Sequence, residues 1–147
     1  MSVNGTYVHA TFDDTGLLIP YIPDLVIRGD AAVFRDIPWN FLTIDGQFPR
    51  VTFATGVTYV GPRPLPFGDR SDSIFTVDAN LVFGWRSVQF GLAATNLLDT
   101  RYRLGEFNYA SDFHSQSQPT LVPVRHFTAG APRELLFTLT FNLGGTP

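Results

Sequence analysis

"IFTVDANLVFGWRSVQFGLAATN", Ile74 to Asn96, reads as two alternating segments joined by a tight turn. In the first, Phe75, Val77, Ala79, Leu81, Phe83 and Trp85 fall on one side, with Asp78, Asn80 and Gly84 on the other. In the second, Val88, Phe90, Leu92 and Ala94 oppose Gln89, Gly91 and Thr95. Successive side chains of a strand point to opposite faces, so a period of two marks a strand with one apolar and one wetter face. The connection, Phe83 to Ser87 around Gly84, is short enough to make the two segments antiparallel neighbours.

The same period recurs outward from this pair. "ELLFTLTFNL" sets Leu135, Phe137, Leu139, Phe141 and Leu143 against Glu134, Thr138, Thr140 and Asn142. "VTFATGVTYV" sets Val51, Phe53, Val57 and Tyr59 against Thr52, Gly56 and Thr58. In "LVIRGDAAVF" Arg28 and Asp30 oppose Ile27, Gly29, Ala31 and Val33, and "VNGTYVHATF" is the least regular of the set. The chain is thus expected to be all-β, an antiparallel up-and-down meander of about six strands, most near ten residues. Globular strands average about five or six residues, whereas crossing a bilayer at a tilt takes about 9–11.

Composition sets the outer bounds. At 147 residues the chain makes one domain, 1–147. Fourteen Phe and a charged fraction of 16% suit strands better than charged amphipathic helices. A net charge of −3 argues against nucleic acid as a partner. The absence of Cys removes disulfides, thiolate metal sites and cysteine nucleophiles. The start lacks the basic and apolar segments of a secretory signal, and no apolar run approaches the ~20 residues of a membrane helix. A membrane β-barrel is compatible with the mean hydropathy of +0.08, because its strands alternate.

The connections differ in size. "GPRPLPFGDRSD" (Gly61 to Asp72) and the excursion from Leu97 to Pro132 are long, while the turn after Phe83 is tight. Short turns at one end and long loops at the other are how an outer-membrane barrel is organised. The stretch from Arg35 to Pro49 fits this scheme less well, since it falls on the short-turn side. The excursion shows no helix or strand period before alternation resumes at Arg133. With roughly 25–30 apolar groups on one side of the sheet, at about 1.5–3 kcal/mol each, that face must meet lipid, a second sheet or another chain.

"NLLDTRY" (Asn96 to Tyr102), then a long loop, then "GAPRELLFTLTFNL" (Gly130 to Leu143), resembles the C-terminal end of a TonB-dependent outer-membrane receptor. "YVGPRPLPFGDRSD" resembles an extracellular loop of that family, and "IPYIPD" (Ile19 to Asp24) the approach to an earlier strand. The resemblance implies a segment of a transmembrane β-barrel in the outer membrane of a Gram-negative bacterium. The intact receptor imports a scarce ligand, such as an iron chelate, vitamin or glycan, and uses no cofactor. Its partners would be outer-membrane lipid, the remaining barrel strands and a plug domain, with TonB reached only through that plug. This sequence carries no plug and no coupling box. It also departs from the family's terminal aromatic residue by ending Gly144-Gly145-Thr146-Pro147. The alternative is a soluble β-sandwich or small closed barrel that binds an apolar ligand inside.

Candidate ligand contacts lie in the two long loops: Arg63, Asp69 and Arg70, with Asp72 beside them, and Tyr109, Asp112, His114, Arg125 and His126. Their bland reading is a salt-bridged, solvated loop with aromatic residues packed on one another. Their spacing matches no tight metal motif. Asn96, Asp99 and Tyr102 are expected to build a turn, since Asn and Asp bond the local backbone and tolerate left-handed conformations. Arg28 and Asp30 would face the barrel lumen. Trp85 and Phe141 at one end, with Tyr59 and Phe75 at the other, suit aromatic girdles at two membrane interfaces. There is no Gly-x-Ser-x-Gly elbow, phosphate loop or His-Glu-x-x-His, so nothing points to an enzyme.

Overall fold

A computed structural model describes residues 1–38, 47–112 and 121–143. Eight strands follow one another: β1 (Ser2–Tyr7), β2 (Leu25–Asp36), β3 (Arg50–Val60), β4 (Ile74–Trp85), β5 (Val88–Thr95), β6 (Arg103–Ser111), β7 (Val122–Ala129) and β8 (Glu134–Phe141). Six of them form one antiparallel sheet in the order β1-β2-β3-β4-β5-β8. The other two, β6 and β7, make a separate hairpin inserted between β5 and β8. The architecture is therefore all-β and antiparallel. Among the described residues the large sheet is open, with β1 and β8 as its edges.

The register carries the sequence alternation across the whole sheet. Val33 pairs with Phe53, Phe53 with Leu81, Leu81 with Leu92 and Leu92 with Phe137, a single apolar row through five strands. One strand slipped by one residue would turn its apolar set to the other face. The opposite face holds the row Ala32, Ala54, Asn80 and Ala93. Beside it runs the row Asp30, Gly56 and Asp78.

This polar face is concave. A cleft of about 490 Å³ on it is bounded both by Met1 and Ser2 at β1 and by Ala93 and Thr95 on β5. Those strands are four steps apart, about 19 Å in a flat sheet at the usual spacing. A single space that touches both fits a sheet curled toward its polar side. The small residues of the Ala32–Ala93 row leave room for that curl. The apolar face is then convex, and it is exposed: Phe137 retains 74% of its surface, and Phe53, Leu81, Phe90 and Leu139 are exposed too. Among the described residues the buried apolar side chains are Pro49, Pro64, Leu65, Ile74 and Ala94. No described helix is long and apolar enough to cross a membrane, which says nothing about a β-barrel.

Antiparallel order places residues 8–24, 61–73, 96–112 and 121–133 at one end of the sheet, and residues 37–38, 47–49 and 86–87 at the other. The tight turn sits at Arg86, in left-handed conformation (φ 54°), so β4 runs on through Gly84 to Trp85. Trp85, Val88 and Phe141 lie side by side at the short-turn end, and Tyr59 pairs with Phe75 at the long-loop end.

The excursion differs from the expectation of a stretch without strand period, because β6 and β7 lie within it. Their alternation is inverted. Glu106 and Asn108 are buried while Phe107 and Tyr109, on the other face, are exposed. A hairpin that buries its polar side chains against another loop lacks the apolar-in, polar-out signature by which strands are read.

Candidate binding surface at the loop end

The turn that closes β5 is built by Asn96. Its backbone is left-handed (φ 48°), as is that of Asp99 (φ 53°), a conformation that Asn and Asp tolerate. The Asn96 carboxamide is 4% exposed and spends itself on the chain around it. Oδ1 accepts from Thr100 N (3.0 Å), while Nδ2 donates to Thr100 O (2.9 Å) and to Ala131 O (3.1 Å). The last contact ties the start of the excursion to its end. Gly130 N donates to Tyr102 O (2.8 Å), and Arg133 N to Asp99 Oδ1 (3.4 Å). The Tyr102 ring lies so close over Gly130 that any Cβ there would overlap it. The segments Asn96–Tyr102 and Gly130–Leu143 are thus in direct contact.

Above this base the hairpin is fastened to residues 61–73 by charge. The Glu106 side chain has no exposed surface. Its Oε2 accepts from Asp72 N (2.6 Å), and its Oε1 accepts from Arg103 Nη1 (3.0 Å) with Arg125 Nη1 at 3.5 Å. Arg125 forks onto Asp69, with Nη2 to Oδ1 at 2.7 Å and Nε to Oδ2 at 3.2 Å, and also donates to Arg70 O (2.9 Å). Arg63 Nη2 donates to Leu104 O (3.1 Å), and Asn108 Nδ2 to Pro66 O (3.2 Å). Residues 8–24 join the cluster: Arg70 pairs with Asp24 (2.9 Å), Tyr21 N donates to Pro64 O (2.8 Å), and Tyr21 packs on Phe107 with ring centroids 5.6 Å apart.

Arg63, Asp69 and Arg125 therefore serve as fasteners between loop and hairpin, while the Arg70 side chain ties the loop to residues 8–24. Tyr109 stacks on His126 (4.0 Å, 9° between planes), and His126 Nε2 shares a hydrogen bond with Ser111 Oγ (2.8 Å), on the hairpin's other face. Asp112 follows β6 directly, and His114 lies outside the described residues. Glu106 and Arg103 were not among the residues singled out from the sequence. The available signal was a lone carboxylate within the aromatic stretch "RLGEFNY".

Hydrogen bonds from Arg125, and secondarily from Arg70 N, hold the Asp69 carboxyl below the ordinary aspartate range. A depressed folded value means that Asp69 adds stability above its unfolded value and loses it as pH falls through the folded one. We expect protection of the β7 amides from hydrogen exchange to fall below about pH 4. Asp69→Asn should show the weaker protection already at pH 6 and respond less to acid. Equal acid profiles for the two proteins would remove Asp69 from this role.

On the concave face Arg28 is likewise engaged. Its Nη2 lies 2.6 Å from Asp30 Oδ1, Nη1 donates to Thr58 Oγ1 (2.7 Å), and Asp78 Oδ2 is 3.5 Å from Nη1. Gly56 lies under the guanidinium, where a Cβ would collide with Arg28 Nη2. Asp78 Oδ1 also accepts from Asn96 N (3.0 Å), linking this cluster to the turn. No group of three or more His, Asp or Glu among the described residues is placed to hold a metal ion.

No protein-family model matches the chain, and it matches no curated protein and no solved structure.

Proposed function

We propose that the chain is the C-terminal barrel segment of a TonB-dependent outer-membrane receptor, and that the intact protein takes up a scarce ligand such as an iron chelate, vitamin or glycan. The observation that carries this reading is the convex, exposed apolar face running unbroken from β1 to β8 over a concave polar face. In water, each large side chain on that face would forgo about 1.5–3 kcal/mol of burial; against lipid it would not. Two open edges leave room for the remaining strands, because a membrane-spanning sheet must close so that no edge is left unpaired. Three long connections at one end, against one long and one tight connection at the other, and the paired aromatic rows at both ends suit the same placement. The alternative, a soluble β-sandwich or small barrel holding an apolar ligand, needs the apolar face inside the curve. Here the polar face is the concave one.

Urea-washed membranes of the native host, probed with an antibody to residues 97–132, test the reading. Signal in the outer-membrane fraction, on a band much larger than 16.3 kDa, is the expected result. Signal at 16.3 kDa in the soluble fraction would overturn it. A substitution gives a second test. Leu92 pairs with Leu81 and Phe137 in the middle of the apolar face. Leu92→Arg in the full receptor should cost roughly 2–4 kcal/mol and deplete the protein from the outer membrane. An increase in soluble protein without loss of fold would speak for water on that face.

A further inference from the structure

Between the loop and the base of the hairpin lies a second cleft, of about 610 Å³. Asp72 and Ser73 form one wall, Thr100, Arg101 and Arg103 a second, and Phe127 with Pro132 an apolar third. Arg103 lies over the Phe127 ring at 4.7 Å from its centroid. Arg101 is exposed and makes no ion pair or side-chain hydrogen bond among the described residues. Two carboxylates also line the space: Asp99, which accepts from Arg133 N, and Asp72.

Asp72 is the loosest member of the ionic cluster. Its side chain is 63% exposed, and its carboxylate stands 3.3 Å from Arg103 and 3.8 Å from Arg125. Glu106 holds the same two guanidiniums more closely and is completely buried. Asp72 is anchored instead by its backbone N–H, which Glu106 accepts, so its carboxylate can swing away without opening the hairpin. Arg103 Nη1 thus carries, beside the buried Glu106, an exposed and replaceable anion. Arg101 supplies a second cation, which forms no ion pair among the described residues, and planar guanidinium forks match carboxylates in two-point contacts.

We propose that this cleft is a carboxylate-binding site, in which a ligand carboxylate takes the place of Asp72 on Arg103, is held from the other side by Arg101, and lays a flat apolar ring against Phe127. The proposal stands on the cleft and does not depend on the membrane reading, so each can fail alone. Calorimetric titration of the 147-residue chain in a mild detergent, with sodium benzoate and separately with inorganic phosphate, tests it. Benzoate should bind saturably to one site, and more tightly than phosphate. Arg101→Gln should weaken benzoate at least tenfold, and Phe127→Ala should weaken benzoate while leaving phosphate unchanged. Asp72→Asn should tighten benzoate severalfold by removing the internal competitor, an effect that non-specific charge attraction does not give. Protection of the β4 and β5 amides in each variant confirms that the sheet is intact. Non-saturable benzoate binding, an unaffected Arg101→Gln, weaker binding by a folded Asp72→Asn, or phosphate binding as tight as benzoate would each overturn the proposal.

Discussion

Replacing Asn96 by alanine should release the base of the hairpin while leaving the large sheet paired. The substitution removes three hydrogen bonds at once, to Thr100 N, Thr100 O and Ala131 O, at a nearly buried position. At about 1 kcal/mol each, with a further 1–2 kcal/mol for a Cβ in left-handed backbone without the local bonding that Asn provides, the cost is roughly 4–5 kcal/mol. Each 1.4 kcal/mol is tenfold, so hydrogen-exchange protection of the Gly130 amide should drop by about 10³-fold or more. Two further variants separate the causes. Asn96→Gly keeps the backbone conformation and should be about tenfold milder than alanine. Asn96→Asp keeps an acceptor for Thr100 N but turns a carboxylate oxygen toward two carbonyls, and should be no better than alanine. If Gly130 stays protected in Asn96→Ala, the turn is held by something other than this side chain.

The second large effect is expected at Glu106. Alanine there strands Asp72 N and leaves Arg103 and Arg125 without their buried partner. Breaking a buried pair costs about 3–5 kcal/mol, reduced here because both arginines keep solvent contact and other carboxylates, so roughly 2–4 kcal/mol is expected. Glutamine retains the volume and an acceptor and should cost about half as much. Exchange of the β6 and β7 amides should quicken in proportion, with β4 and β5 unchanged. A double-mutant cycle of Glu106→Gln with Arg125→Gln should give a coupling of about 1–2 kcal/mol. Zero coupling, or loss of protection spread evenly over the large sheet, would show that hairpin and loop are not joined through this carboxylate.

The large sheet was largely legible. Phe75 through Trp85 and Leu135 through Phe141 alternate, broken only by Val82 and Leu136, and the register extends that alternation across neighbouring strands. The turn residues were legible too. Asn96 and Asp99 occupy the left-handed positions expected of them, and Tyr102 closes on Gly130. The loop residues were legible only as types. Arg63, Asp69 and Arg125 were candidates for reaching a ligand, and they bind their own chain. Asp69 and Arg125 are separated by 56 positions, a distance at which no local pattern reports a partner. The hairpin strands were missed because Glu106 and Asn108 point into a polar contact that exists only once residues 61–73 have folded against them.

The sequence by itself determined the secondary structure of the sheet, the partition of each strand into an apolar and a polar face, and the turn at Asn96. All of these rest on residues within a few positions of one another, where side-chain periodicity and local backbone bonding decide the outcome. Only the tertiary structure decided which face is concave, that Glu106 is buried between two arginines, and that the loop and the hairpin enclose a cleft. Those features depend on contacts between distant segments: small residues aligned across four strands, and a carboxylate meeting a backbone amide 34 residues away. Their energies are set by burial and by partners that chain order alone does not specify.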